Sequence, residues 1–195
     1  MSRSRSSLPP DYFEAMFQGT PDPWDLETSP YEQAKYAHTV QVLNDRTYTA
    51  GFEVGCAKGT LTARLAPLCA SLWAIDVSGT ALRAARRRCV HIPHVAFANM
   101  RFPASAPDRM FDLIVLSEVA YYWADLDIKA AATWIKGHLV PGGRIVLVHW
   151  TGKTDYPQSG DEAVSKLHSA LSPTVTVDIM ERRPRYRLDL WRRTA

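Results

Sequence analysis

The sequence predicts an α/β fold: a seven-stranded, mostly parallel sheet with helices on both faces and an antiparallel hairpin at its C-terminal end. Short apolar segments alternate with segments of helical periodicity, which is typical of a parallel sheet with crossover helices. Residues 111–116 and 145–148 are almost wholly apolar, as strands buried on both faces must be. The last two strand-like segments have no long connection between them, so we expect them to pair antiparallel.

The N-terminal part of the chain precedes the first strand. Residues 1–10 are basic and polar, and we predict a disordered tail there. A short helix is expected near residues 12–18, followed by a turn rich in proline and glycine. A longer helix is predicted over residues 31–43, because Ser29 can cap it and Pro30 suits its first position.

Strands and helices alternate from residue 51 onward. Ser78 is a suitable N-cap for the helix that follows the second strand. A Pro-Gly-Gly triplet at residues 141–143 is expected to end a helix and to turn the chain into the fifth strand. The predicted strands are residues 51–55, 72–76, 94–98, 111–116, 145–148, 174–180 and 186–191, and the predicted helices are residues 60–70, 79–89, 126–139 and 161–171.

Composition narrows the class of protein. A chain of 195 residues suits one domain, which we place over residues 11–195 with residues 11–45 as a helical lid. The formal charge of +3 is concentrated at the two ends, a weak indication of nucleic-acid binding, and we expect neither nucleic acid nor a membrane as partner. The N-terminus lacks the apolar segment of a secretory signal. Three cysteines without a Cys-x-x-Cys pair predict no disulfide framework, no metal site and a cytoplasmic location.

The loop after the first strand indicates a nucleoside site. It reads Glu53-Val54-Gly55-Cys56-Ala57-Lys58-Gly59, and small residues there let a ligand approach the backbone. Neither the dinucleotide pattern G-x-G-x-x-G nor a phosphate-binding P-loop fits this spacing. Asp76 ends the second strand, where a carboxylate can accept both hydroxyls of a ribose. A tight strand-to-helix turn with a capping acid is the structural alternative.

This string resembles motif I of the class I S-adenosylmethionine (SAM) methyltransferases, which have a Rossmann-like sheet. Ala57 stands where that family usually has glycine, and Asp76 matches its ribose-binding acid. The segments at residues 111–115 and 139–143 are similar to its signatures at the fourth strand and before the fifth. The resemblance implies SAM as the cofactor and, beside the loop and Asp76, cofactor contacts from Val77 and Ser117.

The flanking segments narrow the resemblance to the nodulation protein S group of small N-methyltransferases. They are Asp-Pro-Trp at residues 22–24, Tyr-Glu-Gln-Ala-Lys-Tyr at residues 31–36 and Ser-Glu-Val-Ala-Tyr-Tyr at residues 117–122. Proteins of that group methylate the amine of a deacetylated chitin oligosaccharide. One departure concerns the acid that many methyltransferases place after the third strand to bond the adenine amine. Here Asn99 is expected to accept that bond, and Met100 to pack on the ring.

Four side chains near the fourth and fifth strands are candidates for the acceptor site. Glu118 follows the fourth strand as a base, an anchor for the substrate amine, or a structural cap. Tyr121 and Tyr122 offer aromatic faces that attract cations. Ordinary packing is the alternative, and we expect one of the two, Tyr122, to wall the methyl-transfer pocket. His149 ends the fifth strand as a base or a structural polar group.

The N-terminal segment offers candidates for a lid. Trp24 is too large and apolar for an exposed loop, so it packs on the core or closes over the cofactor. Tyr31 and Lys35 lie four residues apart on one helical face. The tyrosine can then reach the cofactor and the lysine its carboxylate, or both can belong to a solvated helix.

These observations predict a SAM-dependent methyltransferase, a monomer or homodimer, that acts on a small molecule, most simply an amine. A neutral amine attacks the methyl group directly, so the protein has only to align the reactants and exclude water. Two alternatives remain: O-methylation with His149 or Glu118 as base, and a SAM-binding protein without activity. A nucleic-acid-binding module that uses the basic C-terminal residues is a third, of a different class.

Overall fold

The computed structural model describes residues 3–4 and 6–195. The chain falls into two compact units, Pro9–Arg101 and Phe102–Ala195 with Met1–Leu8. A single domain with an N-terminal lid stays a prediction. Residues 1, 2 and 5 of the predicted tail lie outside the described residues, whereas Ser7 and Leu8 make hydrogen bonds to Ala124, Asp127 and Tyr122 in their own unit.

The unit Pro9–Arg101 contains three parallel strands in the order β3-β2-β1. Ser29 caps α2 by accepting from the backbone N–H of Glu32, and Ser78 caps α4 by accepting from that of Ala81, as the sequence predicts. The elements are α1 (Pro10–Gly19), α2 (Pro30–Gln41), β1 (Gly51–Val54), α3 (Thr60–Leu65), β2 (Leu72–Asp76), α4 (Gly79–Arg88) and β3 (Val95–Asn99).

Helix α3 is shorter than the sequence predicts. The expected helix ran to residue 70, but the α-helix ends at Leu65 and continues only as a 3₁₀ turn, Ala66–Leu68. Pro67 explains the difference, because proline has no N–H to donate and its ring clashes with the carbonyl of the preceding turn.

The second unit carries the strand order β4-β5-β7-β6. Strands β4 and β5 are parallel, and β7 runs antiparallel to both β5 and β6, which confirms the predicted hairpin. The elements are β4 (Phe111–Ser117), α5 (Asp125–His138), β5 (Leu139–Trp150), α6 (Gly160–Leu171), β6 (Val175–Arg182) and β7 (Tyr186–Arg193).

Strand β5 is much longer than predicted, and the expected turn at residues 141–143 was wrong. Leu139 already pairs with Phe111, and the strand continues through the Pro-Gly-Gly triplet to Trp150. Gly142 has a positive φ of 72°, and the register against β4 shifts between Phe111 and Leu113. The triplet therefore forms an irregularity inside the strand, as glycine in a strand often does.

The seven strands follow the order β3-β2-β1-β4-β5-β7-β6 in one mixed sheet, which confirms the predicted fold class. The central strands β1 and β4 are almost wholly buried, whereas the outer strand β6 is largely exposed. Parallel strands present their C-terminal ends to one edge, and in such sheets ligands bind beyond that edge. The loops after β1, β2 and β3 are therefore candidates for a ligand site.

Candidate functional site

The loop between β1 and α3 has a backbone that favours glycine at every second position. Gly55, Ala57 and Gly59 have positive φ angles of 75°, 47° and 76°. At Gly59 space is limiting as well, because a Cβ there would lie 3.1 Å from the Cα of Ala85. The loop folds back onto β2, since the N–H groups of Gly55 and Cys56 both donate to the carbonyl of Ile75.

Ala57 stands in this left-handed region although it carries a side chain. For such a residue the conformation costs roughly 1–2 kcal/mol. Its N–H donates to Oδ2 of Asp76 at 2.9 Å, so the strained residue is tied to the end of β2. Strain of this kind concentrates at binding sites, where the surrounding structure enforces it.

Asp76 is held in place from two sides. Oδ1 accepts from the N–H of Ser78 at 2.8 Å, and Oδ2 accepts from the N–H of Ala57. Burial raises the pKa of Asp76, and the N–H groups of Ser78 and Ala57 act in the opposite direction. Because a carboxylate has about four acceptor positions, these two bonds leave capacity for the hydroxyls of a ligand.

Glu53, on β1, is a buried carboxyl close to Asp76. Only 2% of it is exposed, and burial together with the charge of Asp76 raises its pKa to about 7, while the hydroxyl of Thr62 acts in the opposite direction. Among the residues that the structure describes, none forms a hydrogen bond with Oε2 of Glu53. A buried acceptor of this kind indicates a ligand or water that completes its bonding.

The end of β3 brings Asn99 and Met100 beside β2. The side-chain Nδ2 of Asn99 donates to the carbonyls of Asp76 and Val77, at 3.1 and 2.9 Å. With both donors used in this way, Oδ1 is the part of the amide that can accept a bond from a ligand. The N–H of Met100 donates to the carbonyl of Asp76, so the predicted cofactor contacts gather around one strand end.

The segment between α1 and α2 is fastened to the glycine-rich loop by ion pairs. Nζ of Lys58 lies 2.6 Å from a carboxylate oxygen of Glu27 and 4.0 Å from one of Asp22. Arg88 of α4 also pairs with Glu27 and donates to the carbonyl of Lys58. Trp24, which lies between these two acids in the sequence, is half-buried and packs edge to face on Phe17 with ring centroids 5.5 Å apart. We call residues 20–28 the strap.

Lys35 makes a different contact from the one that the sequence suggested. It is 2% exposed, and its Nζ lies 2.9 Å from Oε1 of Glu32 and 5.2 Å from the ring centroid of Tyr31. A lysine in a buried ion pair is already neutralised where it stands. The carboxylate of a cofactor is therefore not needed to account for it, while Tyr31 stays a predicted cofactor contact.

Sequence reasoning missed Glu14 of α1. Its carboxylate accepts bonds from both hydroxyls and one N–H of Ser78 and Thr80, at the first turn of α4. These bonds lower its pKa to about 2, the one from Ser78 most of all. No local pattern marks this residue, because Ser78 and Thr80 lie more than sixty positions along the chain.

The second unit contains a cluster around Glu118, directly after β4. Glu118 has a positive φ of 57°, and its N–H donates to the carbonyl of Val148. Its Oε2 accepts from the hydroxyl of Tyr121 at 2.7 Å and from the N–H of Trp150 at 2.8 Å. The structural capping considered from the sequence is thus present, because Glu118 caps the N–H of Trp150 on β5. Ser117 is half-buried at the end of β4.

Three tyrosines pack together beside this carboxylate. The rings of Tyr121 and Tyr156 are stacked with centroids 5.5 Å apart, and Tyr122 meets both edge to face at 4.6 and 4.7 Å. Burial raises the pKa of Tyr121 and Tyr122 well above the ordinary value, so both are neutral phenols. Tyr156 was not predicted, because it lies in a loop without a recognisable pattern.

His149 is fully buried behind the cluster. Its Nε2 accepts from the N–H of Ala120 at 3.1 Å, and its ring packs edge to face on Tyr121. A ring nitrogen that accepts a backbone bond carries no proton, so the imidazole is neutral there. This contact fixes the short 3₁₀ turn Ala120–Tyr122 that presents the two tyrosines.

The described residues form neither a metal-binding cluster nor a helix that could span a membrane. Residues 3–4 and 6–195 contain no group of three or more histidine, cysteine or acidic side chains that could hold a metal ion. Within the same ranges, no helix has the length and hydropathy to cross a membrane.

Comparison with known proteins identifies the family. Residues 17–150 match the family profile of nodulation protein S (NodS). The chain belongs to the NodS family. Nodulation protein S of Bradyrhizobium diazoefficiens is 35% identical over 127 residues, which cover 64% of this chain and 61% of that protein. The chain thus matches less than two thirds of the length of this curated relative.

Solved structures agree with the fold. The N-methyltransferase NodS from Bradyrhizobium japonicum, in complex with S-adenosylhomocysteine (SAH), superposes with a TM-score of 0.80 at 24% identity. That match covers 95% of this chain and 98% of the other. A structure from Pseudomonas syringae, provisionally named a methyltransferase, is 33% identical and superposes with a TM-score of 0.71. That match covers 84% of this chain and 99% of the other.

Proposed function

We propose that the protein is a SAM-dependent methyltransferase that acts on the amine of a small molecule. The observation that carries the proposal is the loop after β1, in which three left-handed backbone positions precede a buried Asp76. Such a loop suits a nucleoside ligand, and the family to which the chain belongs is named for nodulation protein S. When bound, SAM supplies an electrophilic methyl group on a sulfonium.

The residues around β1, β2 and β3 suit this cofactor. Asp76 can accept hydrogen bonds from the ribose hydroxyls, and Oδ1 of Asn99 can accept one from the adenine amine. Val77 and Met100 offer apolar surface to the adenine ring. Gly55, Ala57 and Gly59 let the ligand approach the backbone, and the buried Oε2 of Glu53 offers a ligand one more polar atom for hydrogen bonding. We assign Trp24 and Tyr31 to the lid, and Ser117 to the cofactor site as well.

The cluster around Glu118 suits an amine acceptor. A carboxylate beside aromatic faces attracts an ammonium group, and a neutral amine must form from it before it can attack. We assign Glu118 the task of anchoring the amine and taking up its proton, with the rings of Tyr121 and Tyr122 beside it. The phenol of Tyr121 donates to Glu118 and fixes its carboxylate.

His149 fits the role of base less well. Its Nε2 is used by the N–H of Ala120, so proton uptake there would break a buried backbone bond. We therefore assign His149 a positioning role for the turn that carries Tyr121 and Tyr122. This contact favours N-methylation over an O-methylation that uses His149.

A binding and transfer experiment tests the proposal. Calorimetry with SAH and NAD is expected to show binding of SAH alone, and labelled SAM is expected to transfer its methyl group to members of an amine and amino-sugar panel. Asp76→Ala should cost roughly 1–3 kcal/mol of SAH binding, because ribose hydroxyls lose their acceptor. The matched control is Asp178→Ala, which removes an exposed carboxylate of β6. Tighter binding of NAD than of SAH, or transfer to phenols only, would overturn the proposal.

The remaining assignments are proposals of the same kind. We propose a cytoplasmic protein, supported by three buried cysteines, Cys56, Cys69 and Cys89, that form no disulfide within the described part of the chain. We also propose a monomer or homodimer without nucleic acid as partner. Salt-dependent binding to oligonucleotides would contradict the latter.

A further inference from the structure

Glu14, on α1, accepts hydrogen bonds from the residues at the start of α4. Its Oε2 accepts from the hydroxyl of Ser78 at 2.6 Å and from the N–H of Thr80 at 3.1 Å. Its Oε1 accepts from the hydroxyl of Thr80 at 2.5 Å and from the side chain of Gln18 at 2.9 Å. Three of these four donors, one on Ser78 and two on Thr80, belong to the turn that begins two residues after Asp76.

Ser78 links Glu14 to Asp76. Its N–H donates to Oδ1 of Asp76 at 2.8 Å, and its hydroxyl oxygen accepts from the N–H of Ala81 at 3.0 Å. A hydroxyl has one proton to donate, and here that proton goes to Glu14. The position of Ser78 is therefore fixed from both sides, by α4 and by Glu14.

We propose that Glu14 is a positioning residue for the nucleoside site: through Ser78 it holds Asp76 in the orientation that receives both ribose hydroxyls. The inference rests on the proposed function, since it concerns how the same site recognises SAM. Binding groups work only when a second layer of bonds fixes their rotamers. Glu14 supplies that layer from the N-terminal segment, which makes cofactor recognition depend on the docking of α1.

If Glu14 only held α1 in place, the expected binding data would differ from those expected if Glu14 positions Asp76 for ribose recognition. A residue that only holds α1 in place changes the Kd of every ligand of the site by a similar factor. A residue that positions Asp76 changes only the Kd of ligands that carry ribose hydroxyls. The two can be separated with SAH and its 2′,3′-dideoxy analogue, which lacks both hydroxyls. The comparison forms a thermodynamic cycle between one side chain and two ligand groups.

The experiment measures the Kd of both ligands by calorimetry for the full chain and for Glu14→Gln. We expect the Kd of SAH to rise about tenfold in the variant, the worth of one good hydrogen bond, and the Kd of the dideoxy analogue to change less than twofold. An equal loss for both ligands, or no loss for SAH, would overturn the proposal.

Two further variants keep the test decisive. Gln18→Ala removes the other side chain on Oε1 of Glu14 and should leave both Kd values unchanged. Ser78→Ala keeps the N–H that bonds Asp76 but removes both the link to Glu14 and the side-chain cap of α4, so it should reproduce the selective loss even if Glu14→Gln does not fold. If the unaltered chain fails to bind SAH, the proposed function falls together with this inference. Binding of SAH without a selective loss in either variant overturns this inference alone.

Discussion

Backbone strain marks both candidate sites at the scale of single residues. Among residues 3–4 and 6–195, three residues other than glycine have positive φ angles: Asp25, Ala57 and Glu118. Ala57 lies in the loop predicted to bind the cofactor, and Glu118 in the turn predicted to bind the acceptor. Sequence spacing located both positions but gave no indication of their conformation, because alanine and glutamate rarely adopt it.

Glu53 gives the protein a stability that depends on pH. Burial raises its pKa from the ordinary 4.5 to about 7, so the folded state holds its proton more tightly than the unfolded state does. The resulting stability is present below pH 4.5 and is lost as the pH rises through 7. We expect this carboxyl to lower the free energy of unfolding by up to about 3 kcal/mol over that interval.

Denaturant titrations without ligand, between pH 4.5 and 8, measure this dependence. Glu53→Gln should flatten the fall in stability, because its amide does not titrate. Glu27→Gln is a suitable control, since ion pairs lower the pKa of Glu27 and its titration acts in the opposite direction. An unchanged slope in Glu53→Gln would mean that other groups cause it.

Glu118 should matter for turnover far more than for cofactor binding. Glu118→Gln keeps the size of the side chain but cannot take up a proton. We expect turnover on an amine to fall about 10²-fold or more, and the Kd of SAH to stay within twofold. Rates from labelled SAM and calorimetry give the two quantities.

His149→Gln serves as the comparison in the same assay. It should lose less turnover than Glu118→Gln, since the contact of His149 with Ala120 is structural. Near-full activity of Glu118→Gln would assign the carboxylate to structure alone. A larger loss at His149 would favour O-methylation.

At the scale of elements, the sequence predicted the type of every strand and helix but not always its length. Caps such as Ser29 and Ser78 were recognisable, because the capping side chain and its N–H partner are three residues apart. The length of β5 was not, because pairing with β4 overrides the turn tendency of residues 141–143. Local patterns cannot report such long-range pairing.

The strap should loosen when its ion pairs are removed. Glu27 forms ion pairs with Lys58 and Arg88, and these pairs join the strap to the glycine-rich loop and to α4. We expect Glu27→Gln to speed hydrogen exchange of the backbone amides in residues 20–28 several-fold and to raise the Kd of SAH. Hydrogen-exchange mass spectrometry measures exchange in the strap with and without SAH. If the strap is a lid, SAH should slow its exchange.

Asp25→Asn is the matched control for the strap. It removes one negative charge from the same segment at an exposed position, and asparagine tolerates the positive φ of 52° found there. Its exchange should match that of the unaltered chain. Equal exchange in Glu27→Gln would show that the ion pairs do not hold the strap, and equal exchange with and without SAH would argue against a lid.

For the whole molecule, cofactor binding should appear as thermal stability. A ligand present at a hundred times its Kd raises the free energy of unfolding by about 2.7 kcal/mol. For a chain of this size we expect SAH under that condition to raise the Tm by about 5–10 °C, as measured by scanning calorimetry. NAD at the same concentration should leave the Tm unchanged, and a shift with NAD alone would contradict a SAM site.

The fold class was accessible from the sequence, but the full order of its strands was not. Alternation of apolar strands with helices predicts a mainly parallel sheet, and a short connection predicts the final hairpin. Which of the two hairpin strands joins the sheet depends on pairing between distant segments. The structure places β7, not β6, beside β5.

That placement constrains the order in which the second unit is completed during synthesis. The ribosome releases β6 before β7, yet β6 joins the sheet only through β7. A nascent chain that ends after Arg182 therefore has an unpaired edge on β5 and a strand that has no neighbour to pair with. The sheet closes only when Arg193 has left the exit tunnel, and until then the open edge of β5 is a target for chaperones and for aggregation.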